Sequence, residues 1–116
     1  MANNYYLLSD KNFKTDIIPL DWALEKITQL NGYSFTWKDT GKKDIGLIAQ
    51  EVEKIFPDLV NTDTDGVKAV EYMNIIAPLV ESVKSLYQEN ITLKAWYAKL
   101  QDQMNDLQKQ LTALKK

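Results

Sequence analysis

Ser9 and Lys14 are the first residues of the chain whose types could do chemistry together, and they stand five positions apart. The chain contains neither histidine nor cysteine, which excludes histidine general bases, Ser-His-Asp triads, thiolate nucleophiles and the usual zinc sites. A serine nucleophile would therefore need a lysine or a carboxylate to take its proton. From their types alone, a turn serine and a solvated lysine are the more common interpretation of this pair.

The spacing limits how these two side chains can meet. Five residues of strand span roughly 16 Å, which is too far for a hydrogen bond, and helical positions five apart diverge. They can meet only if residues 10–13 form a turn, or if the lysine comes from a neighbouring subunit. A lysine accepts a proton only when neutral, a state that apolar surroundings favour and a close carboxylate disfavours. We therefore expect Asp10 to point away from the Lys14 amine. The candidates to supply apolar surroundings are Tyr5, Tyr6, Phe13 and Trp22.

A leucine heptad occupies the last third of the chain. Mostly apolar residues recur there in alternating steps of four and three over five heptads. One of the two alternating heptad positions is leucine throughout, and the other is mixed. This pattern predicts a coiled-coil helix. A single amphipathic helix packed on its own domain is the alternative, but roughly 50 Å of helix is longer than so small a body. The predicted oligomerisation seam consists of Leu79, Val83, Leu86, Asn90, Leu93, Tyr97, Leu100, Met104, Leu107, Leu111 and Leu114.

The number of strands in this coil stays open from the seam residues alone. Asn90 is polar and would fix the register, and leucine at every second seam position favours a dimer. The bulky Tyr97 and Met104 at the mixed positions favour a wider bundle instead. Glu89 and Lys94 have the spacing of an interhelical ion pair, which stabilises little in solution.

The chain has 116 residues, enough for one domain, and the helix leaves a body of fewer than ~80 residues. The fold class we expect is α+β. Asp21 is the predicted N-cap of the first helix, Gly32 its left-handed end, and Pro78 a kink or restart of the last helix. The predicted elements are a strand at 5–8, a helix at 22–30, strands at 33–37 and 45–48, a helix at 49–56, strands at 59–60 and 67–70, and a helix from 72.

The charge pattern argues against several classes of partner. All 14 basic residues are lysines and the net charge is −2, so binding of nucleic acid through a basic patch is not expected. No apolar run reaches the length of a membrane span, so no membrane partner is expected either. The loop 61–66 resembles part of a calcium loop but lacks the glutamate at its twelfth position, and we interpret it as a turn. We expect no metal and no cofactor.

Four runs of the sequence resemble one family, and the run Gly-Leu-Ile-Ala-Gln-Glu-Val-Glu-Lys-Ile-Phe-Pro at 46–57 is the most specific of them. Over about residues 8–94 the chain resembles the C-terminal intramolecular chaperone domain of phage tailspikes, tail fibres and endosialidases. A related domain occurs in membrane-bound eukaryotic transcription factors. The four matching runs are 9–14, 23–37, 45–60 and 68–72.

The resemblance implies an assembly factor that cuts itself. In that family the domain forms a homotrimer, brings three fibre chains into register and supports folding of the β-helical stalk upstream in the same chain. Carried over, Ser9 and Lys14 are the catalytic dyad of a single-turnover serine peptidase, and the cleaved bond joins Leu8 to Ser9. The implied location is the host cytoplasm during virion assembly, with the parent protein in the virion tail.

The resemblance also implies a division of the chain and leaves alternatives. Residues 1–8 would be the end of a preceding fibre segment or an added stub, residues 9–77 the globular chaperone domain, and residues 78–116 the helix of a homotrimeric coiled coil. One alternative is a structural trimerisation cap that never cleaves. Another is the equivalent self-cleaving domain of a membrane-bound transcription factor.

Overall fold

The computed structural model describes residues 7–115, in which short helices and two antiparallel hairpins form a small body at the start of one long helix. The molecule measures 81 × 43 × 30 Å. In chain order the elements are a 3₁₀ turn at Lys11–Phe13, α1 at Ala23–Ile27, β1 at Tyr33–Thr36, β2 at Lys43–Gly46, α2 at Ala49–Ile55, a 3₁₀ turn at Pro57–Leu59, β3 at Val60–Thr62, β4 at Lys68–Val70, a 3₁₀ turn at Tyr72–Ile75, and α3 at Ile76–Leu114. The predicted α+β class with a long C-terminal helix is confirmed.

The two hairpins use glycine where the backbone needs a left-handed conformation. Gly41 lies between β1 and β2 with φ 71°, and Gly66 lies between β3 and β4 with φ 81°. Asp63 holds the second loop, because its Oδ1 accepts hydrogen bonds from the backbone N–H groups of Asp65 and Val67 at 2.8 and 2.9 Å. This loop therefore has the turn chemistry that the sequence predicts for it.

Several sequence predictions about the ends of elements were wrong. The strand predicted at 59–60 lies at Val60–Thr62, and the α-helix predicted from 72 begins at Ile76, after a 3₁₀ turn. The N-cap of α1 is Trp22 rather than Asp21, and α1 ends at Ile27. The Thr28 hydroxyl donates to the Glu25 carbonyl and the following amides bond at 3₁₀ spacing, so the free carbonyls are satisfied without a left-handed Gly32. The second strand, predicted at 45–48, begins and ends two residues earlier.

The predicted strand at 5–8 is also wrong where it can be compared. Leu7 and Leu8 belong to no strand, since neither has a neighbouring strand to pair with. Tyr5 and Tyr6 lie outside the described residues.

The core lies where α1, α2 and the start of α3 meet. Few apolar side chains are buried among the residues that the structure describes, and Val52 of α2 is the most enclosed of them. Phe56, directly after α2, packs against Trp22 with the ring centroids 5.8 Å apart. Pro57 ends α2 as the sequence predicts, because it has no N–H to continue the helix. The core therefore fixes α1 against α3, and the contact of Phe56 with Trp22 joins the end of α2 to the start of α1.

Tyr72 fastens the first hairpin to the base of α3. Its Oη accepts a hydrogen bond from the backbone N–H of Leu47 at 2.9 Å. Gly46 lies directly beneath this hydroxyl, and a Cβ built on it would be 2.8 Å from the oxygen. Only glycine leaves room for this contact, so the strand β2 and the long helix keep a fixed relative position.

The helix α3 begins two residues before Pro78, which places the proline in the first turn where its missing N–H costs nothing. Of the two predicted outcomes, a restart is the one observed. Ser82 is buried one turn later and donates to the Pro78 carbonyl at 2.7 Å. From Val83 onward every residue of the helix is exposed, so most of α3 extends beyond the body. None of the helices within residues 7–115 combines the length and apolar character that crossing a membrane requires.

Candidate functional site

The structure brings Ser9 and Lys14 into direct contact. Lys14 Nζ donates a hydrogen bond to Ser9 Oγ at 2.7 Å. The 3₁₀ turn at Lys11–Phe13 makes this possible, because it folds the backbone back within five residues. Two backbone bonds at 3.1 Å close the turn, from the Phe13 N–H to the Asp10 carbonyl and from the Lys14 N–H to the Lys11 carbonyl. Within the single chain the two side chains therefore meet through a turn at 10–13, one of the two arrangements that the spacing allows.

Asp10 caps this turn. Its Oδ1 accepts a hydrogen bond from the backbone N–H of Asn12 at 2.9 Å, which satisfies a donor that the short helix leaves free. Among the residues that the structure describes, Asp10 forms no ion pair with Lys14. The carboxylate is therefore used to shape the backbone, in agreement with the expectation that it points away from the amine.

The surroundings of the pair differ from the predicted ones. Phe13 leaves 75% of its surface in water, and Trp22 faces Phe56 and the Lys26 amine, which lies 4.7 Å from its ring centroid. Neither aromatic residue encloses Lys14, and Tyr5 and Tyr6 lie outside the described part of the chain. The apolar setting expected from Phe13 and Trp22 is thus absent in the single chain, because Trp22 packs on Phe56 instead.

The pair belongs to an exposed stretch that we call the N-terminal segment, residues 7–19. Every residue in it is exposed, and its backbone turns at Asp16 with φ 51°. Exposed apolar side chains gathered in one segment mark a surface for a partner rather than a finished exterior. Its large apolar members are 64–76% exposed: Leu7, Leu8, Phe13, Ile17 and Ile18.

The predicted seam lies along α3 and is uncovered in the single chain. Leu79 is its least exposed leucine at 44%, because it sits beside the body, and Asn90 is exposed in the middle of the row. A helix with a leucine face in water is stable only when that face meets other apolar surface. The seam residues thus form a continuous surface that is available for other helices.

A feature that the sequence did not indicate is an apolar groove beside the base of α3. Its volume is about 670 Å³, and Leu79 lies both in the groove and on the seam. Among the residues that the structure describes along it, none is charged. It is formed by Ile27, Leu30, Asn31, Gly32, Tyr33, Ile45, Gly46, Leu47, Tyr72, Ile75 and Leu79.

Polar pairs on the body are structural in character. The Tyr33 hydroxyl lies 3.0 Å from both carboxylate oxygens of Glu51, and this hydrogen bond raises the pKa of the phenol. Lys68 joins α2 to the second hairpin by pairing with Glu53 at 3.0 Å and donating to Thr62 Oγ1 at 2.9 Å. Within residues 7–115 no group of acidic side chains has the geometry of a metal site.

Comparison with known proteins gives a consistent picture. Residues 9–61 match a family model described as the chaperone of endosialidase. A long tail fiber protein Gp37 of Escherichia phage AR1 is 37% identical over 73 residues, which cover 56% of this chain and 7% of that protein. The protein of the same name from Salmonella phage S16 is 29% identical over 115 residues, covering 92% of this chain and 14% of the relative. The chain therefore corresponds to a small part of the length of the curated relatives it matches.

Proposed function

The chain belongs, over residues 9–61, to the chaperone-of-endosialidase family, and from this premise we propose that it assembles a phage tail fibre and then cuts itself off. Its similarity to long tail fiber proteins from several phages supports this role. The upstream fibre of the same chain would be its folding client. It would act in the host cytoplasm during virion assembly, with the parent protein in the virion tail.

Assembly is proposed to proceed through α3. Three copies would pair their seams into a homotrimeric coiled coil formed by residues 78–116, while residues 9–77 form the globular chaperone domain. The support is the length of α3, 39 residues, and the exposure of its leucine face beyond the body. Residues 1–8 would then be the last residues of the preceding fibre segment.

Cleavage is proposed to use Ser9 as the nucleophile and Lys14 as the base. Ser9 Oγ adds to the carbonyl carbon of Leu8 while its proton passes to a neutral Lys14 amine. The Ser9 nitrogen leaves with that proton, so the Leu8 acyl group is carried as an ester on Oγ. Water then hydrolyses the ester, and the products are a Leu8 carboxylate and a free Ser9 with its amine and hydroxyl restored.

The direction of the observed hydrogen bond defines what must change before this reaction. Nζ now donates to Oγ, whereas proton transfer needs the Oγ–H to donate to a neutral amine. Apolar surroundings favour the neutral amine. The uncovered apolar residues of the N-terminal segment would provide such surroundings once other copies or the upstream fibre cover them. Cleavage would therefore follow assembly.

The observation that carries the proposal is the 2.7 Å contact between Ser9 and Lys14 in a turn just after the Leu8–Ser9 bond. The test is the intact mass over time of a chain with its native upstream stalk, beside Ser9→Ala. We expect loss of the domain at Leu8–Ser9 in the parent and none in the variant. Equal loss in both would overturn the mechanism.

A second function is favoured by one observation, the exposure of the whole N-terminal segment. If nothing covers this segment in the assembled fibre, the lysine stays in water and the domain acts only as a structural cap. A parent that forms stable trimers and stays uncut in the same experiment would establish this function. Sedimentation of the same samples separates it from failed assembly.

A further inference from the structure

The side positions of α3 change character along the helix. In a parallel coiled coil a residue at position g of one helix faces position e of its neighbour, five residues further on. With the seam leucines at position d, three such pairs begin the helix. They are Ile75 with Val80, Ser82 with Tyr87, and Glu89 with Lys94.

The first two g residues are not available to a neighbouring helix, because the chain's own body covers them. Ile75 is 6% exposed and Ser82 is 3% exposed, whereas Glu89 is fully on the surface. A neighbouring helix that approaches this side near the base of α3 therefore meets the body. Further along it meets only the other helix.

The e residues follow the same boundary. Val80 and Tyr87 are apolar and are 51% and 67% exposed in the single chain. The later e residues are polar: Lys94, Gln101 and Gln108. Position e is thus apolar near the base of α3, where the facing g residue of a neighbouring helix is covered by that neighbour's own body. Position e is polar further along, where the facing g residue is exposed. Nothing within a single chain accounts for this match.

In a parallel coiled coil, Val80 of a neighbouring copy would lie next to the groove. Ile75 and Leu79 line it at the base of α3, and Ile27 at the end of α1 and Leu30 three residues later also line it. Leu79 is also the first residue of the seam, so two helices that meet at Leu79 bring one groove beside the other helix's e side. Ile76, one turn before Val80, is also apolar and is 50% exposed.

We propose that the groove of each copy takes Val80 of a neighbouring copy, so that each body clasps the helix of the next chain. This rests on the proposed assembly through α3 and adds to it a contact between body and helix. The absence of charged side chains from the groove lining favours an apolar occupant.

Disulfide trapping between copies tests this directly, since the chain has no cysteine of its own. A Leu30→Cys chain and a Val80→Cys chain, distinguishable by a mass tag, are produced together and oxidised. A disulfide forms only when the two Cα atoms are less than about 7 Å apart. The proposed contact brings residue 80 of one copy to residue 30 of another, so we expect a disulfide between the two variants. The matched control is Lys84→Cys, which lies one turn later on the outward side of the helix and should not cross-link.

The outcomes separate this proposal from the function beneath it. Cross-linking of Lys84→Cys to the same extent as Val80→Cys would overturn the groove contact. The groove contact would also be overturned if Leu30→Cys and Val80→Cys do not cross-link while sedimentation shows that the chains have assembled. The occupant of the groove would then be the upstream fibre or an N-terminal segment. Chains that never assemble at any concentration would overturn both the groove contact and the proposed assembly.

A second measurement uses charge in place of cysteine. Val80→Asp would put a carboxylate in an apolar groove, and we expect the dissociation constant of the assembly to rise at least about tenfold. Gln101→Asp is the matched control at the same helical position beyond the body, where the change should stay below about threefold. Equal effects of the two substitutions would refute the proposed occupant.

Discussion

Two regions of the molecule, the N-terminal segment and the body around α2, differ in what keeps their side chains in place. In the segment, Ser9 meets Lys14 through a five-residue turn whose members are all exposed. In the body, Val52 and Phe56 are buried, and α2 packs against both strands of the second hairpin. The residues that could do chemistry thus lie in the part with local order, and the packed part carries none of them.

This difference teaches that the two regions can fail independently. A turn closed by its own hydrogen bonds depends little on the core, and a core formed by α1, α2 and α3 depends little on the turn. Substitutions in the segment should therefore alter cleavage and leave stability unchanged. Substitutions in the body should do the opposite, provided that the chains still assemble.

The largest effect is expected for Lys14→Met in the chain with its upstream stalk. Loss of a general base slows a reaction by about 10²–10⁴-fold, so cleavage should nearly cease while the trimer still forms. Lys11→Met is the control, because Lys11 is an exposed lysine in the same turn with no contact to Ser9. Intact mass over time measures both. An equal slowing in the control would mean that the turn, and not the amine, is what matters.

Gly46→Ala should sharpen the comparison from the side of the body. The new Cβ would lie 2.8 Å from the Tyr72 hydroxyl, which is fixed by its bond to Leu47. We expect the free energy of unfolding to fall by about 1–3 kcal/mol, with the Ser9 turn unaffected. Gly32→Ala is the matched control, since nothing lies within 4 Å of its Cβ position. Urea denaturation at one protein concentration measures both, and equal losses would contradict the proposed clash.

Asp10→Ala should have a smaller effect on cleavage, and this effect should be confined to the N-terminal segment. Removing the cap from the Asn12 N–H costs about 1 kcal/mol of local order, so cleavage should slow by roughly fivefold. Asp10→Asn keeps an oxygen acceptor and should cleave close to the parental rate. Thermal unfolding of the body should be the same in all three chains. A large loss of stability in Asp10→Ala would show that the segment supports the body after all.

The smallest effect concerns Tyr33 in alkaline solution. Its hydrogen bond to Glu51 raises the pKa of the phenol, so the folded chain binds this proton more tightly than the unfolded chain does. The bond therefore stabilises the fold fully below the unfolded value near 10, and this contribution disappears as the pH rises through the folded value. Glu51→Gln should lower the pH at which Tyr33 ionises, as seen in tyrosinate absorbance relative to Tyr33→Phe. Glu53→Gln, whose carboxylate pairs with Lys68 instead, should leave it unchanged.

Much of the fold could be predicted because its signals are local. Heptad spacing gives α3, Asp65-Gly66 gives the second hairpin, and Pro57 gives the end of α2. The second strand was shifted by two residues because the apolar run 45–48 looks like a strand. Its last residue, Ile48, instead takes an extended conformation as the N-cap of α2. Burial and pairing, which the run itself does not record, decide where such a strand stops.

The two candidate sites also differ in how far they could be predicted from the sequence. The pairing of Ser9 with Lys14 was implied by the family resemblance, and the spacing added that it requires a turn at 10–13 or a second chain. The groove could not be predicted, because α1, β2 and α3 contribute its walls from distant parts of the sequence.

The closeness of Ser9 and Lys14 along the chain has a consequence for timing. Loops of about ten residues close in roughly 10–100 ns, so the two groups meet almost as soon as they leave the ribosome. Encounters between whole chains take milliseconds to minutes and depend on concentration. The two side chains are therefore together long before the helices of the proposed trimer can find one another. Any delay of the proposed cleavage must then come from the chemical state of the amine or the position of the Leu8–Ser9 bond, and not from the time that the two groups need to meet.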